Sequence, residues 1–373
     1  MTTEVPAMPG MRVAIVTNIP APYRVPVFAR LAEAPGLVLR VFFCSGREPD
    51  RQWNLPELGF DHVFLRPRML TWRSRFIHLN PDLWPLLRRF SPQVVATTGF
   101  NPTHLLAWLH AVRAGVPHVA VTDGTLASEA SLGGLHRAVR RRVYRRSGAF
   151  VGASEGSLAL YRSYGVAAAS IFRSQLCADN DRFAANELGE RSFDFVYCGR
   201  IVAGKLPVFA IQVAAAASRR LGRRTSLLIV GAGPLEAEAR AAAEANCGEL
   251  DCEFAGFATQ EELPRHYARA RLMLFPTQGD TWGVVANEAC AAGLPVLVSP
   301  QAGVAGELVR DGENGRVLAL DVDTWAAAAA AILSDESTRR SMAVRGRELV
   351  APYTYTNAAA GLAAAFVHAG QAR

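Results

Sequence analysis

Phe193-Asp194-Phe195-Val196-Tyr197-Cys198-Gly199-Arg200-Ile201-Val202-Ala203-Gly204-Lys205 is the stretch on which the fold turns. Its first six residues are apolar or aromatic except for Asp194, with FVYC (195–198) unbroken, which predicts a buried strand over 193–198. Gly199 and Gly204 then let the backbone turn, and the residues beyond Lys205 predict a helix over 206–220. The same grammar repeats toward the C-terminus. Strand SLLIVG (226–231) precedes a helix from Pro234 to about Asn246. Helix 260–270 precedes strand RLMLFP (271–276), and helix 284–292 precedes strand PVLVS (295–299). DGENG (311–315) reads as a turn, and two alanine-rich helices finish the chain, with the alanine run 326–331 as helix filler.

Toward the N-terminus, strands RVAIVT (12–17), LVLRVFF (37–43), QVVATT (93–98), HVAVT (118–122) and AFVGAS (149–154) alternate with helices over 23–34, 82–90, 103–114 and 155–163. An irregular stretch containing Trp53 and Trp72 interrupts them. SQLCADNDRFAANELGERS (174–192) has no clear period and reads as the interdomain connection. Alternating strands and helices imply α/β domains with parallel sheets covered on both faces. At about 150 residues per domain, 373 residues imply two such domains. The economical architecture is two facing Rossmann-like domains with a cleft between them.

Half of the residues are hydrophobic and 20% are charged, which excludes a disordered chain; 31 Gly and 21 Pro are too few for a collagen-like or low-complexity one. No run reaches the roughly 18 apolar residues of a membrane-spanning helix, and MTTEVPAMPG (1–10) is not a secretion signal. The six cysteines are scattered, without a C-x-x-C pair, and read as buried free thiols. Together these features predict a soluble, cytoplasmic protein.

The net charge of +7 is uneven. Residues 1–185 hold 22 Arg against 12 acids, a balance of +10; residues 186–373 hold 18 Lys and Arg against 21 acids, a balance of −3. Of the 40 basic residues only Lys205 is a lysine, so a compact ammonium survives where arginine is otherwise the rule. The densest basic segment, 136–146, carries arginines at 137, 140, 141, 142, 145 and 146. It reads either as a solvated surface helix or as a face for anionic lipid. Nucleic acid is disfavoured, because no aromatic stacking residues interleave with these arginines.

In parallel α/β domains ligands bind beyond the carboxyl ends of the strands, where helix N-termini present unpaired N–H groups. Four loops of the second half fit that description. Arg200 and Lys205 form a cationic pair suited to a diphosphate; the alternative is an ordinary basic loop. Gly231 and Gly233 of GAGP (231–234) allow close backbone approach, but the third glycine of a dinucleotide fingerprint is missing. Asp280 and Glu288 can face one cleft from a loop and the helix that follows, and carboxylates suit vicinal diols; a helix cap and a surface acid are the plain alternatives. Phe254-Ala255-Gly256-Phe257 could frame a flat base or pack into the core. No metal site is visible, because neither a D-x-D loop nor a histidine cluster occurs.

Together, GR-x4-K (199–205), GAGP (231–234), FAGF (254–257), D-x7-E (280–288), EACAAGLPVLVS (288–299) and ELVRDGENG (307–315) resemble the glycosyltransferase family 4 enzymes of GT-B fold. TNIPAPYRVPVF (17–28) and VTDG (121–124) support the resemblance more loosely. It implies a retaining transfer of sugar from a UDP- or GDP-sugar to an acceptor, with no cofactor or metal. The acceptor implied is a glycan or a polyprenyl-linked intermediate of surface glycan synthesis, reached from the cytosolic face of the membrane. By resemblance, Arg200 and Lys205 hold the diphosphate and Glu288 binds the ribose. Asp280 takes the place of the family's sugar-contacting glutamate, and Gly283 and Val284 offer backbone N–H groups to the sugar. Gly231, Gly233 and Phe257 fall in the nucleotide-binding loops. Asp123 stands near the place of a histidine that approaches the donor sugar, while His104, His110 and His118 read as structural or surface residues. The implied division is an acceptor-binding domain over 1–185, a donor-binding domain over 186–352, and a last helix over 353–373 packing back on the first domain. The other readings are a nucleotide-sugar epimerase of the same fold, a transferase acting on a soluble small molecule, and a non-catalytic nucleotide-sugar binder.

Overall fold

The computed structural model describes residues 7–8, 10–49, 57–72, 75–130, 132–185 and 191–371. Trp53, most of the N-terminal decapeptide and residues 186–190 of the 174–192 connection lie outside them. The chain divides into two compact units, one comprising residues up to Cys177 together with Thr354–Arg373, the other Ala178–Tyr353.

The first unit is built on a parallel sheet of seven strands among the described residues. Its order is His62–Phe64, Leu37–Phe43, Met11–Thr17, Val94–Thr97, His118–Thr122, Ala149–Gly152 and Ile171–Arg173. The strand order reverses between Met11–Thr17 and Val94–Thr97. Val16, Phe42 and Val95 pack with Leu83, Leu87 and Phe90 of helix Leu83–Phe90 and with helix Pro102–Ala114. The last helix, Tyr355–Gln371, lies against this unit's strands Ala149–Gly152 and Ile171–Arg173. Gly361 makes that approach possible, since a Cβ there would stand 1.6 Å from the Arg173 carbonyl oxygen.

The second unit has six parallel strands among the described residues, in the order Leu250–Gly256, Thr225–Val230, Phe193–Cys198, Ala270–Phe275, Val296–Val298 and Gly315–Val317. Its order reverses between Phe193–Cys198 and Ala270–Phe275. Ala326 and Ala329 are fully buried against helix Pro207–Leu221 in a core that includes Trp325, Phe195 and Leu272. The alanine run is therefore a packing surface: small side chains let two helices close on each other. It is not filler.

Several elements differ from the sequence expectation. Phe254 to Gly256 belong to strand Leu250–Gly256 and not to a loop. Three helices, not two, end the chain: Val322–Ser334, the alanine-poor Glu336–Val350 and Tyr355–Gln371. Helix Asn180–Ala184 interrupts the connection between the halves. Within the basic helix Gly134–Tyr144, Arg140 points inward: its guanidinium pairs with Glu129 at 3.1 Å and lies over the Phe100 ring. The free cysteines are buried at 44, 177, 198 and 290, half-buried at 252 and exposed at 247. No described helix is long and apolar enough to cross a membrane.

Candidate functional site

The strand-order reversal of the second unit brings together the loops leaving Phe193–Cys198 and Ala270–Phe275, the usual position of ligands in such sheets. The first loop is anchored from below. The buried Tyr197 hydroxyl donates to the carbonyls of Arg200 (3.2 Å) and Lys205 (3.1 Å). A short 3-10 turn, Ala203–Lys205, leads to Leu206 at φ +51°, and helix Pro207–Leu221 begins immediately after it. One tie between the second loop and the first is made at a backbone oxygen. The Gly204 carbonyl accepts from the Gln278 amide and the Thr277 hydroxyl, both at 3.0 Å.

This cross-tie sets Lys205 against Asp280, and the ammonium and carboxylate form an ion pair. Sequence reasoning treats the two as separate ligand-facing groups and expects an anionic ligand to offset the lysine; in the folded chain Asp280 is its counter-charge. The other Asp280 oxygen accepts from the Trp282 amide at 3.1 Å. Lys205 also lies 5.6 Å from the centre of the Phe275 ring. That ring fills the space under Gly283, where a Cβ would stand 2.4 Å from it and where φ is +107°. Gly283 is thus required, and it opens helix Val284–Ala291 with its first amides at the loop. Trp282 locks the loop: it is buried, its indole N–H donates to Asn287 at 2.8 Å, and its ring stacks on Tyr353. Phe275, Trp282 and Tyr197 escape a motif reading because their work is support from beneath.

Glu288 is only 4% exposed. Its carboxylate accepts from the Tyr267 hydroxyl at 2.8 Å, and burial pushes its pKa up to about 7 against the partial relief of that hydrogen bond. Cys198 lies beside the pair, and burial raises its thiol to about 12. An ordinary surface acid is excluded at this position. Arg200 is exposed on its loop.

Gly231 and Gly233 have a cause inside the chain. A Cβ at Gly231 would stand 1.9 Å from the Gly199 carbonyl oxygen, and one at Gly233 would stand 2.3 Å from that of Ile201. The two loops lie backbone against backbone, with Ile201 N–H donating to Ala232 O at 3.0 Å. Phe257, just past its strand, is 43% exposed and not part of the core, whereas Phe254 lies under the Arg240 guanidinium.

In the first unit the reversal point carries a polar cavity of about 190 Å³ whose walls include Asn18, Arg24, Glu48, Thr98 and Asp123. Asp123 is ion-paired with Arg24, a residue absent from the sequence-level candidates, 99 positions away. Glu48 is buried and its carboxylate meets Nε2 of the fully buried His78 at 3.0 Å. His104 and His118 are buried, and desolvation lowers both pKa values to about 3; His118 bridges Thr97 and Ser147. Among the described residues no group of three His, Cys, Asp or Glu is placed to hold a metal ion.

The family model of glycosyl transferases group 1 matches residues 179–349. Over 175 residues the chain is 33% identical to a D-inositol 3-phosphate glycosyltransferase of Nocardia farcinica, covering 44% of this chain and 38% of that protein. Over 155 residues it is 36% identical to a GDP-mannose-dependent alpha-(1-6)-phosphatidylinositol monomannoside mannosyltransferase of Mycobacterium tuberculosis, covering 39% and 40%. The match thus spans about two fifths of each relative's length. The crystal structure of Anabaena Alr3699/HepE in complex with UDP and glucose superposes with a TM-score of 0.72 at 14% identity, over 93% of this chain and 97% of that one. The fold is α/β of the GT-B type. Lys205, Asp280, Gly283 and Glu288 all lie within the residues that the family model matches.

Proposed function

We propose that the chain is a retaining glycosyltransferase of the family 4 kind, moving a sugar from a UDP- or GDP-sugar to a hydroxyl of a glycan or polyprenyl-linked acceptor. The observation that carries this reading is the meeting of Lys205 and Asp280 at the strand-order reversal of the second unit, between two helix starts. One compact cation and one carboxylate, held over ordered backbone amides, match a substrate with a diphosphate at one end of the scissile bond and sugar hydroxyls at the other. In the complex Lys205 turns from Asp280 to the diphosphate, Arg200 adds a second cation, and Asp280 accepts from the donor sugar. Glu288 takes the ribose hydroxyls.

The bond from the anomeric carbon to the diphosphate oxygen breaks as the acceptor oxygen bonds to that carbon on the same face. Charge developing on the departing diphosphate is stabilised by Lys205, Arg200 and the helix amides, and a departing phosphate oxygen takes the acceptor's proton. The scheme gives no role to a metal. We place the acceptor's reacting ring in the 190 Å³ cavity of the first unit, where Glu48 and Asp123 supply hydroxyl acceptors. Its volume is below the 300–1,000 Å³ typical of drug-sized ligands and suits one ring. The names of the two relatives carry inositol 3-phosphate and phosphatidylinositol monomannoside, ring compounds of that chemistry.

Incubation with UDP- and GDP-sugars and glycan or polyprenyl-linked acceptors, read by nucleotide release and by NMR of the product's anomeric centre, tests the reading. Acceptor-dependent release with the donor's anomeric configuration kept is expected. Inversion at that centre contradicts the retaining course, and epimerised sugar without transfer favours an epimerase.

A further inference from the structure

The buried carboxylate of the candidate site has a support of its own. Solvent cannot orient Glu288, and its two oxygens are divided. Oε2 accepts from the Tyr267 hydroxyl at 2.8 Å, whereas Oε1 has no partner among the described residues and is not sealed from solvent. Oε1 is therefore the oxygen left for a ligand. Tyr267, on helix Leu263–Ala268, is fully buried. Its other hydroxyl contact, to the Val285 carbonyl, is 3.4 Å long. A phenol has one hydrogen to donate, and the shorter approach to the carboxylate is the bond it makes. A phenylalanine would fill the same space without a hydroxyl to bury, so the phenol is explained by the acid it holds.

Tyr267 is held in turn by the segment through which the chain enters the second unit. The Phe183 ring, buried on helix Asn180–Ala184, meets it edge-on with centroids 5.5 Å apart. Such a contact between two buried rings fixes where the phenol stands. At the start of that helix the Asn180 amide donates to the carbonyls of Val350 (3.1 Å) and Tyr353 (3.2 Å). Tyr353 is the unit's last residue, and its ring is the one that stacks on Trp282. The two ends of the second unit are thus fastened to each other and to side chains under the candidate site. One end reaches Glu288 through Phe183 and Tyr267; the other reaches the Asp280 loop through Trp282.

We propose that Tyr267 is a positioning residue of the nucleotide site: its hydroxyl holds one Glu288 oxygen so that the other meets the ribose hydroxyls, and Phe183 seats it from the connecting segment. The proposal rests on the ribose role given to Glu288 above. It adds a division of labour, in which Glu288 touches the nucleotide while Tyr267 and Phe183 act only through Glu288. Their loss should weaken recognition of the ribose hydroxyls and leave the diphosphate contacts of Lys205 and Arg200 alone.

The test is calorimetric titration of the whole protein with UDP and GDP and with their 2′,3′-dideoxy analogues, which keep base and diphosphate but lack both hydroxyls. The wild type should bind one ribonucleotide at least about tenfold tighter than its dideoxy analogue, the scale of a hydrogen bond to a charged group. Tyr267→Phe should shrink that preference by about fivefold or more, through the ribonucleotide alone, with dideoxy affinity unchanged. Phe183→Leu keeps the hydroxyl but loosens its seat; it should shrink the preference by less, and it carries the test if Tyr267→Phe does not fold. In a Glu288→Ala background Tyr267→Phe should change nothing further. Thermal melts check that each variant folds. If Tyr267→Phe weakens both nucleotides equally, or keeps the wild-type preference, the tyrosine is a packing residue and the proposal is overturned. A wild type that binds a diphosphate but ignores the ribose hydroxyls also overturns it, while the diphosphate reading stands. If neither UDP nor GDP binds, the transferase reading fails and the proposal falls with it.

Discussion

At position 205 the chain sets its only lysine against Asp280, 75 residues further on. The lysine stands out in the sequence because 39 arginines surround the choice. Its partner in the fold does not, because nothing local marks which acid a strand-order reversal will bring to it; the same is true of Arg24 and Asp123. The pair makes the two residues interdependent. Lys205→Ala should lower turnover by about 10²-fold, the scale for losing one electrostatic stabiliser, and Lys205→Arg should also be impaired because a planar fork replaces a point charge. Asp280→Ala should lower transfer yet leave nucleoside diphosphate affinity equal or higher, since it frees the ammonium. In a double-mutant cycle the two losses should fall well short of additive. Glu288 offers a separate reading by pH. Its folded pKa of about 7 lies above the ordinary 4.5, so its neutral form favours folding at acid pH and that contribution is lost as pH rises through 7. Glu288→Gln should therefore melt higher than wild type at pH 8, by an amount worth at most about 3 kcal/mol, and close to wild type at pH 5. Comparing the two proteins cancels His104 and His118, whose lowered pKa values act in the opposite direction.

Among the elements, the strand-to-helix transitions are the most legible part of the sequence, and the short edge strands are the least. Continuous apolar runs such as FVYC (195–198) mark strands buried on both faces. His62–Phe64, Ile171–Arg173 and Gly315–Val317 are three residues each, too short for any period to appear. Strand Leu250–Gly256 alternates buried and exposed positions with acids at 251 and 253, and so lacks the apolar run of its neighbours. The glycines of GAGP are legible as special positions, but their cause is not, because it lies in loop 199–201. Gly231→Ala and Gly233→Ala drive a methyl group into a carbonyl oxygen and should each destabilise the second unit by about 1–3 kcal/mol or more. A melt without ligand checks this. If either variant melts like wild type while losing nucleotide binding, the glycine serves the ligand rather than the loop.

Over the whole molecule, charge and chemistry are divided between the units. The first half holds the +10 balance and the polar cavity; the second holds the Lys205–Asp280 pair and the buried Glu288. The overall fold class is legible because the alternation runs through both halves, and the candidate donor site because its motifs recur in family order. The first half's sites are harder to read, since Arg24, Glu48, His78 and Asp123 come together only when separate strands align. The central claim is that the second unit holds a nucleoside diphosphate through Lys205. Calorimetric titration of UDP and GDP against uridine and guanosine, with wild type and Lys205→Ala, tests it most directly. One diphosphate should bind at least about tenfold tighter than its nucleoside, a difference of 1.4 kcal/mol, and Lys205→Ala should erase most of that gap. If neither diphosphate binds, or if each binds no better than its nucleoside, the account is contradicted.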